Sequence, residues 1–308
     1  MCAGPAFSIG ARDTSGSSSR TQASTSGSSG IRADRSARIG SRAVEPIAVE
    51  AIRGGVVEAR HRVHAVAVRQ GQVVAAAGDA KHVTHFRSAA KPLQALPVVR
   101  AWPELDDAEI AIMCASHLRR PEQLDPVRRL LARAQATEDD LECGPEPTRL
   151  EHNCSGKHAA MLALCRRMSW PKVGYRLAEH PCQAAVLEEI AAAAEVERSS
   201  IPTAVDGCGV VTFALPLERM ANAFSRLESL DGGQRVAAAL RAHPDLIRGP
   251  GHADTELMRL RQGWVAKGGA EGLLCAARDG LGIALKVEDG ATRAVRSGLA
   301  AFLGRLGL

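Results

Sequence analysis

Ser88 and Lys91 stand three residues apart in the stretch RSAAKPLQALP that runs from residue 87 to residue 97. On a helix, positions i and i+3 share a face, so the lysine amine comes within reach of the serine oxygen. An amine whose pKa is lowered by burial could take the serine proton and turn Oγ into a nucleophile for acyl transfer. Pro92 fits a helix only in its first turn, so the helix that carries Lys91 must begin close to Ser88. The serine oxygen would then lie in the positive field of that N-terminus. Pro97 should kink or end the helix one turn later. Alone, a Ser-x-x-Lys spacing arises by chance in most chains of this length, and its ordinary reading is an amphipathic helix. Its weight depends on its company.

That company is four further clusters: CASH at 114–117, NCSGKH at 153–158, DGCG at 206–209 and KGGAEG at 267–272. Each sets reactive side chains between small residues on a turn, where a substrate can approach the backbone closely. Thiolate and imidazole are the usual zinc ligands, so side-chain chemistry alone would choose Cys154, Cys208 and His158 for a metal. The competing reading makes these cysteines small buried apolar groups. The other six (Cys2, Cys114, Cys143, Cys165, Cys182, Cys275) read as structural, and most of the ten histidines as surface or core residues.

These turns must be held by ordered elements. Residues 1–43 are rich in Ser, Gly and Arg and nearly free of large apolar side chains, so they are expected to be a disordered, dispensable tail. Their acid-poor composition also matches an organellar transit peptide; a dispensable tail is the reading taken. Order should begin near Ala43. Short strands are expected at 48–52 and 56–60, flanking Arg53-Gly54-Gly55, then a hairpin of 64–68 and 72–77. Helical spacing follows over 106–113, 121–136, 158–168, 182–196, 217–227 and 234–243. Strands return at 272–277 and 282–287, with a last helix over about 293–303. This order predicts one α+β, sandwich-like catalytic domain over 44–308: an antiparallel sheet from both chain ends packed with a helical block.

Composition excludes several functions. Of the net charge of +5, residues 1–43 carry +4, which leaves the remaining 265 residues nearly neutral and without a basic run to track a phosphate backbone. Nine aromatic residues are too few for a base-stacking platform. No apolar run approaches a membrane span, so a soluble protein with no membrane or nucleic-acid partner is expected. Eight cysteines without a Cys-x-x-Cys pair fit reduced thiols and a cytoplasmic setting.

Together the clusters resemble the bacterial asparaginase II family, the rhizobial-type thermolabile L-asparaginases. The matching stretches are IRGGVVE at 52–58, FRSAAKPLQALP at 86–97, the CASH tetrapeptide, NCSGKHA at 153–159, DGCG, Asp254-Thr255 and 267–272. The resemblance spans about residues 47–305. It implies an amidohydrolase converting L-asparagine to L-aspartate and ammonia, with a core similar to those of the serine β-lactamases and bacterial glutaminases. Ser88 would be the nucleophile and Lys91, neutral beside a cationic Lys267, its base. Ser116 would pass a proton to the leaving ammonia, and N–H groups near Ser88 and on 268–270 would hold the oxyanion. Lys267-Gly268-Gly269 is similar to the Lys-Thr-Gly strand of β-lactamases. The resemblance also implies Arg87, Asn153, Asp206, Gly207, Gly268 and Gly269 as substrate contacts, and a homodimer. For the metal it implies zinc on Cys154, Lys157 and Cys208, with His158 and Asp206 as close neighbours.

The chain departs from the family pattern at Leu118-Arg119-Arg120, where a small residue, a glycine or serine and an acidic residue are expected, and at Val211, where a proline is usual. Two alternatives therefore stand beside the asparaginase reading. One is a β-lactamase or peptidase of the Ser-x-x-Lys type, weakened by the absence of a Ser-Asp-Asn string. The other is an inactive, zinc-binding amidase homologue.

Overall fold

No glycine or proline interrupts residues 56–69, and the two short strands expected there are one 14-residue strand, Val56–Arg69. The structure is a computed structural model that describes residues 8–12 and 45–308. In chain order its strands are β1 (Ser8–Arg12), β2 (Ile47–Arg53), β3 (Val56–Arg69), β4 (Gln72–Ala77), β5 (Val83–His85), β6 (Thr203–Val205), β7 (Val211–Pro216), β8 (Val265–Gly268), β9 (Leu273–Arg278) and β10 (Leu281–Val287). The length of β3 lets one edge carry two partners end to end. Its first half pairs with β2 and its second half with β4, while β10 takes the other edge. The main sheet runs β1-β2-β3-β10-β9-β8, antiparallel throughout, so both chain ends build it as expected. The tail reading falls largely outside the described residues. Within it, Ser8–Arg12 pairs with β2.

Strand alternation gives the sheet two opposite faces. The C-terminal helix Val295–Arg305 covers one, where Gly298 lies against Val63. Helix Leu217–Ser225 covers the other, so close that a Cβ on Gly282 would stand 1.9 Å from the Ala221 carbonyl oxygen. Beyond it lies the helical block, and buried apolar side chains form one continuous cluster from Ile47 to Leu303. The α+β sandwich expected from the sequence is the fold found.

A second, three-stranded sheet, β5-β7-β6, was not anticipated. Its centre, β7, is a short buried run without alternation, which periodicity does not distinguish from a helix segment. This small sheet sets the chain at Phe86 and presents the 206–210 turn. The helix after it follows the proline argument. Arg87–Ala90 is a 3₁₀ turn, Lys91–Gln94 and Leu96–Ala101 are α-helical, and each α segment holds a proline in its first two positions. Among the described residues every cysteine is a free, buried thiol, and no helix is long and apolar enough to cross a membrane.

Candidate active site

Three of the four expected catalytic side chains meet in the interior. Lys91 reaches inward from the start of its helix and donates to Ser116 Oγ at 3.3 Å and to the Ala115 carbonyl oxygen. Lys267, on β8, donates to the same Ser116 Oγ at 3.1 Å and to the Gly268 carbonyl at 2.6 Å. Both lysines are fully buried, and one hydroxyl bridges two amines. Asp254, 1% exposed, lies 3.7 Å from Lys267 Nζ and accepts the Gly268 N–H at 2.8 Å. Burial would raise its pKa, but Lys267, the Gly268 N–H and Arg248 outweigh that and hold it below the usual carboxylate range. Lys267 is pushed down to about 7, chiefly by burial and, against the pull of Asp254, by the charges of Lys91 and Arg248. Two ammonium groups on one oxygen repel, so the pair readily sheds a proton near neutrality.

Ser88 stands apart from this cluster. Its residue is half-buried, and among the described residues its hydroxyl has no hydrogen-bond partner. It sits on the 3₁₀ turn, where side chains at i and i+3 eclipse, so it shares a face with Lys91 without a hydrogen bond to it. Arg87 before it has φ +48°, a left-handed conformation that costs free energy for a non-glycine residue and tends to persist at functional sites. Two contacts hold that backbone: the Arg87 N–H donates to Thr212 Oγ1, and its Nε donates to Asp206 at 2.7 Å. Arg87 and Asp206, both expected to touch substrate, are thus paired with each other beside Gly207, whose N–H also donates to Asp206. Of the expected oxyanion donors, the Gly268 N–H is taken by Asp254 and the Gly269 N–H by the Leu273 carbonyl. The N–H groups of Ser88 and Ala270 carry no hydrogen bond among the described residues. By contrast, the Ser116 N–H donates to Ile247 O and the His117 N–H to Asn153 O.

A second buried cluster adjoins Lys91. Its Nζ lies 3.3 Å from Cys154 Sγ, at the start of helix Ser155–Met168. One turn on, Lys157 donates to Cys208 Sγ at 3.1 Å. Gly156 lets that helix pack, since a Cβ there would stand 2.2 Å from the Ile112 carbonyl oxygen. The β6–β7 hairpin supplies Cys208, with Gly209 at φ +83° closing the turn. The Cys208 thiol is pushed down to about 4, mainly by a hydrogen bond from Cys154 and then by Lys157, against burial. Burial works against charge on Lys157, but Cys208, Cys154 and Asp206 outweigh it and raise its pKa. The donor set of two thiols and an amine, buried together with a ready thiolate, fits a zinc-like cation that displaces the lysine proton. The set favoured by side-chain chemistry alone is not assembled. His158 Nδ1 is engaged with the Tyr175 hydroxyl at 2.7 Å, and among the described residues no three His, Cys, Asp or Glu side chains are grouped to hold a metal.

Ser116 also borders a cavity of about 190 Å³ walled by Leu118, Arg119, Glu151, Asn153 and Arg248. Two loops form these walls, and one buried amide ties them. Gln123 Oε1 accepts the Leu118 and Arg120 N–H groups, while its Nε2 donates to the carbonyls of Asp245, Leu246 and Arg248. Of the two unexpected arginines, Arg119 lines the cavity and donates to the Glu146 carbonyl, whereas Arg120 packs against Gly249. His117 is pushed down to about 3 by burial, then by Lys91, His152 and Arg119, and its Nε2 meets Ser155 Oγ at 2.8 Å. Sequence reasoning gave no role to Asp254, Gln123 or Arg248. Asp254 could have been marked by the Asp254-Thr255 match; the other two have no local signal.

A family model described as L-asparaginase II matches residues 49–308. The match takes in most of the chain, which belongs to that family. No curated protein matches it.

Proposed function

From membership of the L-asparaginase II family, we propose that the protein hydrolyses L-asparagine to L-aspartate and ammonia through an acyl-enzyme on Ser88. One observation carries the reading: the Ser116 hydroxyl bridges two buried lysines, one of them three residues beyond a free, accessible serine. Ser88 Oγ attacks the side-chain carbonyl carbon while the lysine pair, through Lys91, takes its proton. The Ser88 and Ala270 N–H groups stabilise the oxyanion. As the C–N bond breaks, Ser116 gives its proton to the departing nitrogen and is reprotonated by the lysine pair. Water then attacks the ester, the same amine takes a proton from it and returns it to Ser88 Oγ, and L-aspartate leaves with Ser88 restored.

Ser88 is preferred to Ser116 as nucleophile for a physical reason. Oxyanion stabilisation is a large term in acyl transfer. The N–H of Ser116 and that of His117 are both committed, while Ser88 has its own and that of Ala270. Cys154, Lys157 and Cys208 are proposed to hold a zinc ion, which would supply a fixed positive centre joining the hairpin to the Ser155 helix. Protein purified without chelator is then expected to carry near-stoichiometric zinc, and Cys208→Ser to lose most of it. Elemental analysis of the unmodified protein showing no metal would reject that site.

Ammonia release from L-asparagine and L-glutamine, run beside a chromogenic β-lactam, tests the activity. Turnover of asparagine is expected; β-lactam hydrolysis without it would favour the β-lactamase-like alternative, and no turnover at all an inactive homologue. The pH profile tests the lysine pair. As pH falls through about 7 Lys267 becomes cationic and the pair loses its proton-accepting capacity, so kcat/KM should fall about tenfold per pH unit on the acid side. The charges that set this value are Asp254, Lys91, Arg248 and Cys154. A flat profile between pH 5 and 8 would contradict the assignment.

A further inference from the structure

Two side chains of opposite charge stand in the wall of the Ser116 cavity with no direct ion pair of their own among the described residues, although Arg248 acts at longer range on Asp254 and Lys267. Arg248 and Glu151 are both half-buried, and among the described residues neither side chain has a hydrogen bond or an ion pair. Holding a guanidinium and a carboxylate partly out of water, unpaired, costs free energy that pairing would recover. Neither is loose by neglect. The Arg248 carbonyl is pinned by Gln123 at 3.2 Å, which fixes the backbone from which the side chain projects. Its guanidinium borders β8, with Nη1 3.4 Å from where a Cβ on Gly268 would lie. It thus stands between the cavity and the strand that carries Lys267.

Resting on the amidohydrolase reading for the fate of the amide, we infer that this cavity is a receptor for one free α-amino acid, with Arg248 on its α-carboxylate and Glu151 on its α-ammonium group. The two charges are of opposite sign, as a zwitterion requires. A guanidinium offers a carboxylate two parallel N–H donors, and Glu151 offers an ammonium group acceptors only. The volume of about 190 Å³ equals about six waters at ~30 Å³ each. That suits a small amino acid. Ser116, on the same wall, is the member of the reacting set that the remaining end of the ligand, the side-chain amide, would meet. The consequence is selectivity for substrates with both α-groups unblocked.

Calorimetric titration with L-aspartate reads this binding without turnover. The wild-type protein is expected to bind L-aspartate, and to bind succinate, which lacks the ammonium group, at least about tenfold more weakly. Arg248→Met should weaken L-aspartate by about thirtyfold or more, and Arg248→Lys should recover part of that. Glu151→Gln should weaken L-aspartate while leaving succinate unchanged. Equal wild-type affinity for the two ligands, or no binding of L-aspartate, would overturn the inference, and the ligand comparison needs no variant to fold. Intact, Arg248-dependent binding with no ammonia release would instead refute the hydrolase reading alone.

Discussion

Replacing Ser88 by alanine is expected to lower ammonia release from L-asparagine by about a thousandfold or more, the scale on which loss of a covalent nucleophile leaves only binding and oxyanion contacts. The fold should survive. Ser88 makes no side-chain hydrogen bond among the described residues and stands half-buried on a 3₁₀ turn, so removal of its hydroxyl leaves no buried group unsatisfied. Lys91→Met should do similar kinetic damage, since nucleophile and base act as a unit and their losses do not add. Lys91→Arg should not rescue it, because a guanidinium stays protonated at any working pH. Initial rates, with circular dichroism as the control for folding, measure all three. A folded Ser88→Ala enzyme within tenfold of wild type would move the nucleophile to Ser116, the hydroxyl that both lysines contact.

Lys267→Met is expected to injure both activity and stability, and the two can be separated. Kinetically it removes one of the amines that share the Ser116 proton, at a cost of about a hundredfold or more in kcat. For stability, it strips the fully buried Asp254 of the cation 3.7 Å away. Leaving a buried charge without its partner costs about 3–5 kcal/mol. The double variant Lys267→Met with Asp254→Asn removes both charges and should recover most of the lost stability, because neighbouring sites couple strongly. Its activity should stay low. Denaturant unfolding and ammonia release on the single and double variants measure the two effects. Recovery of activity together with stability would mean that Lys267 serves the fold alone.

The site was legible where chemistry is written in local spacing. Pro92 and Pro97 place the breaks in the Ser88 helix, and the structure puts them there. The sheet from both chain ends follows from the strands read at 64–68 and 282–287, which pair residue for residue within Val63–Arg69 and Leu281–Val287. What was not legible depends on contacts between distant segments. Lys91 and Ser116 lie 25 residues apart and Lys267 a further 151 from Ser116, and no periodicity says that one oxygen will serve both amines. Gln123 is equally silent in sequence. A glutamine early in an amphipathic helix is ordinarily a surface residue, and here its buried amide joins two loops. β7 was missed because a short, wholly buried strand carries no alternation to read. Gly156 illustrates the converse. It lies in a reactive-looking motif, yet its lack of a Cβ serves helix packing against Ile112.

The central claim is that asparagine is opened by Ser88, with Ser116 as its proton relay, and the covalent intermediate reports on this directly. Enzyme mixed with L-asparagine and quenched in acid within one turnover, then digested and sequenced by mass spectrometry, should carry an aspartyl ester on the peptide containing Ser88. The Lys91→Met variant should show less of it, and Ser88→Ala none. An aspartyl ester on Ser116 with Ser88 unmodified, in protein that releases ammonia, would contradict the account.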